Sequence, residues 1–154
     1  MSTHGHGYTL LRKDRLANKG GGIAAYCSNN LRFIRRPDLE SASTEILWLE
    51  VFPYKSNRSL LMAGCYRPPS YTKDEDSEFE KCIGTADSTN KEIILTGDFN
   101  IDHNSPKVYN KHHLARNFKQ LVDKTTRPIS GTCLDHLYTN NSRHICEVLV
   151  FSAQ

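Results

Sequence analysis

Apolar residues along this chain come mostly in short runs bounded by glycine, proline and asparagine, a pattern of strands more than of long helices. Tyr8, Leu10 and Leu11 mark a strand within Gly7 to Arg12. Gly22-Ile23-Ala24-Ala25-Tyr26-Cys27 marks a second, entered from the turn at Gly20-Gly21-Gly22 and left through Ser28-Asn29-Asn30. Glu45-Ile46-Leu47-Trp48-Leu49-Glu50-Val51-Phe52 is apolar on both of its faces, as expected of a strand covered on each side, with Trp48 in the core. Leu60-Leu61-Met62-Ala63-Gly64-Cys65-Tyr66 is similar and is stopped by Arg67-Pro68-Pro69.

Two segments carry the helical period instead. Thr72-x-x-Glu75 makes a capping box ahead of Phe79, Cys82, Ile83 and Ala86, which fall at i, i+3, i+4 and i+7. Leu114, Phe118, Leu121 and Val122 predict a second helix by the same logic. A strand ending in Asp98 lies between the two helices, and Thr132–Thr139 and Ile145–Phe151 predict two more strands after them. Several strands, a helix, a strand, a helix and two strands suit an α/β (α+β) fold: a mixed, largely antiparallel sheet system with helices packed outside.

The chemistry concentrates at Glu92-Ile93-Ile94-Leu95-Thr96-Gly97-Asp98-Phe99-Asn100-Ile101-Asp102. On an extended chain residues i and i+2 point the same way. Asp98 and Asn100 are therefore expected to project together from a strand end, with Phe99 turned into the core. A carboxylate beside an amide suits a water molecule, a hydrated metal or a phosphate oxygen. The competing reading is a turn rich in Asx residues. Asp102 reads as a turn or helix cap.

Composition narrows the class. The 154 residues suffice for one domain, and the net charge of +3 neither demands nor opposes a nucleic-acid partner. No apolar run approaches membrane-spanning length, and Met1 to Gly7 lacks the apolar core of a secretion signal. Cys27, Cys65, Cys82, Cys133 and Cys146 are odd in number and irregular in spacing, which argues against a disulfide framework or a zinc knuckle. The expected compartment is reducing and intracellular, nuclear or cytoplasmic. The basic clusters Leu11-Arg12-Lys13-Asp14-Arg15 and Leu31-Arg32-Phe33-Ile34-Arg35-Arg36 read as solvated strand edges. His136 is a surface or core histidine, because it faces away from its neighbour Asp135. His112-His113 do not share a helix face, and His4 and His6 lie in an N-terminal stretch, residues 1–6, expected to be disordered. Tyr71 and Tyr138 are read as packing residues, with base stacking as the alternative.

Five segments in order then carry a resemblance: Gly20-Gly21-Gly22-Ile23-Ala24, Leu47-Trp48-Leu49-Glu50-Val51, Tyr66-Arg67-Pro68-Pro69, Gly97-Asp98-Phe99-Asn100-Ile101-Asp102 and Thr132-Cys133-Leu134-Asp135-His136-Leu137-Tyr138-Thr139. Together the chain resembles the endonuclease/exonuclease/phosphatase superfamily, and within it the apurinic/apyrimidinic-like endonuclease domain of LINE-type (non-LTR) retrotransposons. The resemblance implies a four-layer sandwich of two mixed β-sheets flanked by helices, spanning residues 7–154. It implies Mg2+-dependent hydrolysis of phosphodiester bonds in DNA, with Mn2+ as the substitute ion and a reverse transcriptase domain in the parent polyprotein.

By the same resemblance Asp98 orients or deprotonates the attacking water and is the weak metal contact, through water. Asn100 holds that water or a phosphate oxygen, and the Tyr66 hydroxyl contacts the phosphate. Asp135 orients a catalytic histidine, and Arg67 touches the nucleic-acid backbone. The family's principal Mg2+ ligand, a glutamate upstream of everything here, and its closing Ser-Asp-His triplet have no match in these residues. The expectation is an incomplete domain with activity weakened or lost, open strand edges and marginal stability. A non-catalytic remnant, and another phosphoesterase of the superfamily, stay open as alternatives.

Overall fold

The apolar runs at the start of the chain and over 45–52, 60–66 and 92–98 form strands of one sheet or of the hairpin that covers it. The computed structural model describes residues 7–15, 21–105, 117–141, 145 and 147–150. Strands β1 (Tyr8–Lys13) and β2 (Ile23–Ser28) pair antiparallel as a two-stranded sheet. Strands β3 (Arg32–Arg35), β4 (Glu45–Phe52), β5 (Leu60–Tyr66), β6 (Glu92–Asp98), β7 (Lys119–Gln120) and β8 (Asp135–Thr139) form a six-stranded sheet in the order β3-β4-β5-β6-β8-β7. The β5–β6 pair is parallel and the rest are antiparallel, so this larger sheet is mixed.

The crossover between the parallel strands is helix α1 (Lys73–Asp87). It starts where the sequence signals it: the Thr72 side chain accepts from the Glu75 amide, and the Glu75 side chain accepts from the Thr72 amide. Its Phe79, Cys82, Ile83 and Ala86 are buried against Ile46, Trp48, Leu61, Ala63, Ile93 and Leu95 on one face of the large sheet. The hairpin β1–β2 covers part of the other face, where an Ile23 methyl lies 3.3 Å from the place a Cβ on Gly64 would take. The described layers are thus helix, large sheet and small sheet. Trp48 is fully buried, as its run predicts.

Two segments differ from the pattern-based expectation. Leu114 lies outside the described residues, but Phe118, Leu121 and Val122 do not sit on a helix. Lys119 and Gln120 instead pair with Thr139 and Tyr138 at the sheet edge. Phe118 and Val122 are buried all the same, so the apolar spacing reported burial while edge pairing decided the conformation. Of the strand expected over 145–151, residues 145 and 147–150 are irregular and the others lie outside the described residues. The basic run around Arg32 is an edge strand, β3, and its charges are largely neutralised. Arg35 pairs with Glu40, and Arg36 with Asp38 and Glu50.

Cys27, Cys65, Cys82 and Cys133 are free thiols, all buried, and burial raises the pKa of each. His4, His6, His112, His113 and Cys146 lie outside the described residues. Among the described residues no helix is long and apolar enough to cross a membrane.

Candidate functional site

Strand register assembles the site. The parallel pairing of β5 and β6 sets Tyr66 opposite Asp98, and the antiparallel pairing of β6 and β8 sets Asp135 opposite Asp98 on its other side. Directly opposed residues share a face of the sheet. Three of the residues singled out in the sequence, each from a different strand, therefore stand in one row at one end of the sheet. Glu45, opposite Tyr66 on β4, extends the row.

The ends of the row are fastened. Glu45 is buried and accepts from Arg15 Nε at 3.1 Å, Arg15 Nη2 at 2.8 Å and the Gly22 amide at 2.9 Å. The Arg15 guanidinium sits 5.3 Å from the centre of the Tyr66 ring. The Thr126 hydroxyl accepts from the amides of Leu134 and Asp135 at 3.0 and 3.1 Å, which fixes the entry to β8.

Asp98 holds its place through main chain and side chain. Its carbonyl accepts from the Arg67 amide at 2.9 Å, and the next amide, of Phe99, donates to Leu134 at 2.8 Å. Phe99 is buried as expected, stacked on His136 with ring centres 5.1 Å apart. Just before it, Gly97 lets β5 come close: a Cβ there would lie 1.8 Å from the Cys65 carbonyl oxygen.

Asn100 departs from the extended geometry expected of it. Its φ is +49°, in the left-handed region, so the strand stops at Asp98. The Asn100 amide donates to Asp98 Oδ1 at 3.0 Å, an Asx turn, and its side-chain Nδ2 donates to the Arg67 carbonyl at 2.9 Å. The turn reading of the motif holds, and the extended projection expected of Asn100 does not. The turn fixes one carboxylate oxygen of Asp98 and leaves the other directed across the row.

That other oxygen meets a residue absent from the sequence-based site. Arg127 Nη2 donates to Asp98 Oδ2 at 2.9 Å and lies 3.4 Å from Asp135 Oδ1. It comes from a tight loop closed by Gly131 N to Arg127 O at 2.9 Å and by the Arg127–Thr132 bridge. The one signal in the sequence was Thr126-Arg127-Pro128 followed by Ser130-Gly131, a turn that must fold back on the strand bearing Asp135.

Two other residues face away from the row. Arg67 Nε donates to Asp76 at 2.8 Å, a half-buried pair that ties the end of β5 to the first turn of α1. His136 is core: Nδ1 shares a hydrogen bond with the Tyr138 hydroxyl and Nε2 with the Cys133 carbonyl, both at 2.8 Å. Burial lowers its pKa, partly offset by the Cys133 carbonyl. Asp102 caps a turn through the amides of Asn104 and Cys133. Tyr138 is buried and Tyr71 packs edge-on against Phe79, so both are packing residues.

Magnesium needs only one or two protein carboxylates, because it keeps most of its water and completes its shell with phosphate oxygens. Asp98 and Asp135 are the carboxylates of the row that could meet that demand, once Arg127, which lies against both, has moved away. Among the described residues no group of three His, Cys, Asp or Glu side chains gathers to make a fuller cage.

No protein-family model matches the chain, and no curated protein matches it in sequence. Solved structures do match. The endonuclease domain of TRAS1, a telomere-specific non-LTR retrotransposon, superimposes with a TM-score of 0.60 at 14% identity, over 85% of this chain and 66% of that one. The human Nocturnin catalytic domain gives 0.58 at 15% identity, over 87% and 60%. An endonuclease/exonuclease/phosphatase family protein from Bacteroides thetaiotaomicron gives 0.59 at 15% identity, over 88% and 62%. The chain spans less than two thirds of the length of each of these neighbours. Its fold is the one these solved structures share.

Proposed function

We propose that this chain carries the phosphodiester-hydrolysing site of a DNA endonuclease. The observation that carries the reading is the row Tyr66–Asp98–Asp135, set by the register of three neighbouring strands. A phenol, two carboxylates and a guanidinium at one sheet end supply what attack of water on a phosphodiester needs: a group to orient the water and donors for the phosphate oxygens.

In this reading Asp98 accepts a hydrogen bond from the attacking water and takes its proton as the new P–O bond forms; the P–O bond to the leaving sugar oxygen breaks in line with it, and that oxygen is protonated from solvent. Asn100 steadies the same water or a phosphate oxygen. The Tyr66 hydroxyl donates to the phosphate. Arg127, whose planar fork suits phosphate as well as carboxylate, leaves Asp98 and Asp135 to meet the incoming anion. A Mg2+ held weakly, chiefly by Asp98 through water, would offset charge on the phosphate oxygens when bound. The TRAS1 domain, an endonuclease of a non-LTR retrotransposon, and the Tyr66-Arg67-Pro68-Pro69 and Thr132-Cys133-Leu134-Asp135-His136 segments support DNA as the substrate.

The test is supercoiled plasmid incubated with the purified chain and Mg2+, beside Asp98→Ala. Nicking abolished by the substitution supports the reading. Equal background in both means a fold without turnover. Hydrolysis of a soluble phosphomonoester with no effect on plasmid means a phosphatase.

A further inference from the structure

Between Glu50 and Asp74 the chain has no acidic residue. Early in this interval comes the loop from β4 to β5, residues 53–59, at the end of the sheet opposite Asp98. Along β5 the two ends lie about 20 Å apart at the rise of an extended strand.

The loop is built rather than slack. The Ser56 amide donates to the Pro53 carbonyl at 3.2 Å. The Ser56 hydroxyl donates to the Arg58 carbonyl at 3.0 Å and accepts from the Arg58 amide at 3.2 Å. Lys55 sits at φ +58°, a left-handed conformation that glycine or asparagine would adopt more readily. The effect is to raise a cation and an aromatic ring together. Lys55 Nζ lies 5.4 Å from the centre of the Tyr54 ring, and Tyr54 is 90% exposed.

Beside this loop, on the edge strand β3, the Arg32 guanidinium stacks 4.5 Å from the centre of the Phe52 ring. Its neighbours Arg35 and Arg36 are bound to carboxylates. Arg32, Lys55 and Arg58 pair with no carboxylate among the described residues. The three cations and Tyr54 line a hollow of about 540 Å³ with no acidic side chain in its wall. It adjoins, across Arg58, a larger hollow of about 1260 Å³ whose wall holds Glu92 and Lys91, the latter paired with Glu50.

We propose that Arg32, Tyr54, Lys55 and Arg58 form a second nucleic-acid-binding surface, for a single strand, separate from the Asp98 row. Three unpaired cations match the phosphates of a flexible strand, and the open ring of Tyr54 offers a stacking platform. Only an unpaired base exposes a face to meet that platform, which selects a single strand over a duplex. Because the loop is held by its own hydrogen bonds, little ordering is needed on binding.

The experiment is fluorescence anisotropy of labelled oligo(dT) with the full chain in EDTA, where metal-dependent cleavage cannot contribute. Dextran sulfate serves as a base-free polyanion, and phosphatidylserine vesicles as an anionic surface. Tyr54→Ala weakens oligo(dT) by about tenfold or more and leaves dextran sulfate unchanged. The double variant Lys55→Gln/Arg58→Gln weakens both and lowers the slope of log K against log salt by about 1.4. Loss of oligo(dT) binding in Asp98→Asn, with Tyr54→Ala without effect, would place the strand at the Asp98 row and overturn the proposal. The proposal is overturned if the parent chain does not bind oligo(dT), or if Tyr54→Ala binds like the parent. A preference for vesicles over the oligonucleotide overturns it as well.

Discussion

Arg127 Nη2 lies 2.9 Å from Asp98 Oδ2, from a loop whose sequence carries no obvious mark of function. The pair is partly solvated, with Arg127 46% and Asp98 24% exposed, so its weight in stability is small. Arg127→Gln is expected to cost no more than about 1 kcal/mol in urea unfolding. Nicking of plasmid by the same variant is expected to fall by about a hundredfold, the loss of a donor aimed at developing charge. A variant unchanged in rate and markedly less stable would make Arg127 a strut and nothing more.

Gly97 makes the converse case. A Cβ at this position would sit 1.8 Å from the Cys65 carbonyl oxygen and 3.0 Å from its amide nitrogen, both main-chain atoms that cannot step aside. Gly97→Ala is therefore expected to separate β5 from β6 beside Asp98 and to destabilise by about 3 kcal/mol or more. Chemical unfolding monitored through the buried Trp48 measures it. Tolerance within about 0.5 kcal/mol would mean that the two strands do not approach as described.

His136 gives a pH signature. Its native pKa is lowered, first by burial, from an ordinary value of 6.5, while the nearby carboxylates Asp135 and Asp98 pull the other way and the His103 ring adds to the lowering. Above that ordinary value both native and unfolded chains hold the imidazole neutral, and no stability depends on it. Below it the unfolded chain takes up the proton first, so stability falls as pH drops through the interval down to the native pKa. The thermal midpoint of the parent should decline between pH 7 and pH 5 more steeply than that of His136→Gln. Parallel curves would place the imidazole in contact with solvent.

Much of this was legible in the chain because strands buried on both faces leave nearly continuous apolar runs. β4 and β5 occupy the residues their runs predict, Glu45–Phe52 and Leu60–Tyr66. The capping box placed α1, since Thr72 and Glu75 satisfy each other's amides without help from the rest of the molecule. What escaped depends on contacts distant in sequence. β7 is two residues long and exists through its pairing with β8, which no local period records. Asn100 left the extended path because the Asp98 carboxylate captured its amide. Arg127 reached the site because a seven-residue excursion, Thr126 to Thr132, returns its guanidinium to the row. Tyr66, Asp98 and Asp135 were each suggested by their neighbours in sequence, but only strand register brought them into one line.

The most direct test of that line is a double-substitution cycle on plasmid nicking, with Tyr66→Phe, Asp98→Asn and their combination at one Mg2+ concentration. Groups that act on the same phosphate are not additive. Each single change should slow nicking by about a hundredfold or more, and the double variant should be little slower than Asp98→Asn alone. If both single variants nick at the parent rate, or if the two losses multiply in full, the row of three strands is not the place where the bond is cut.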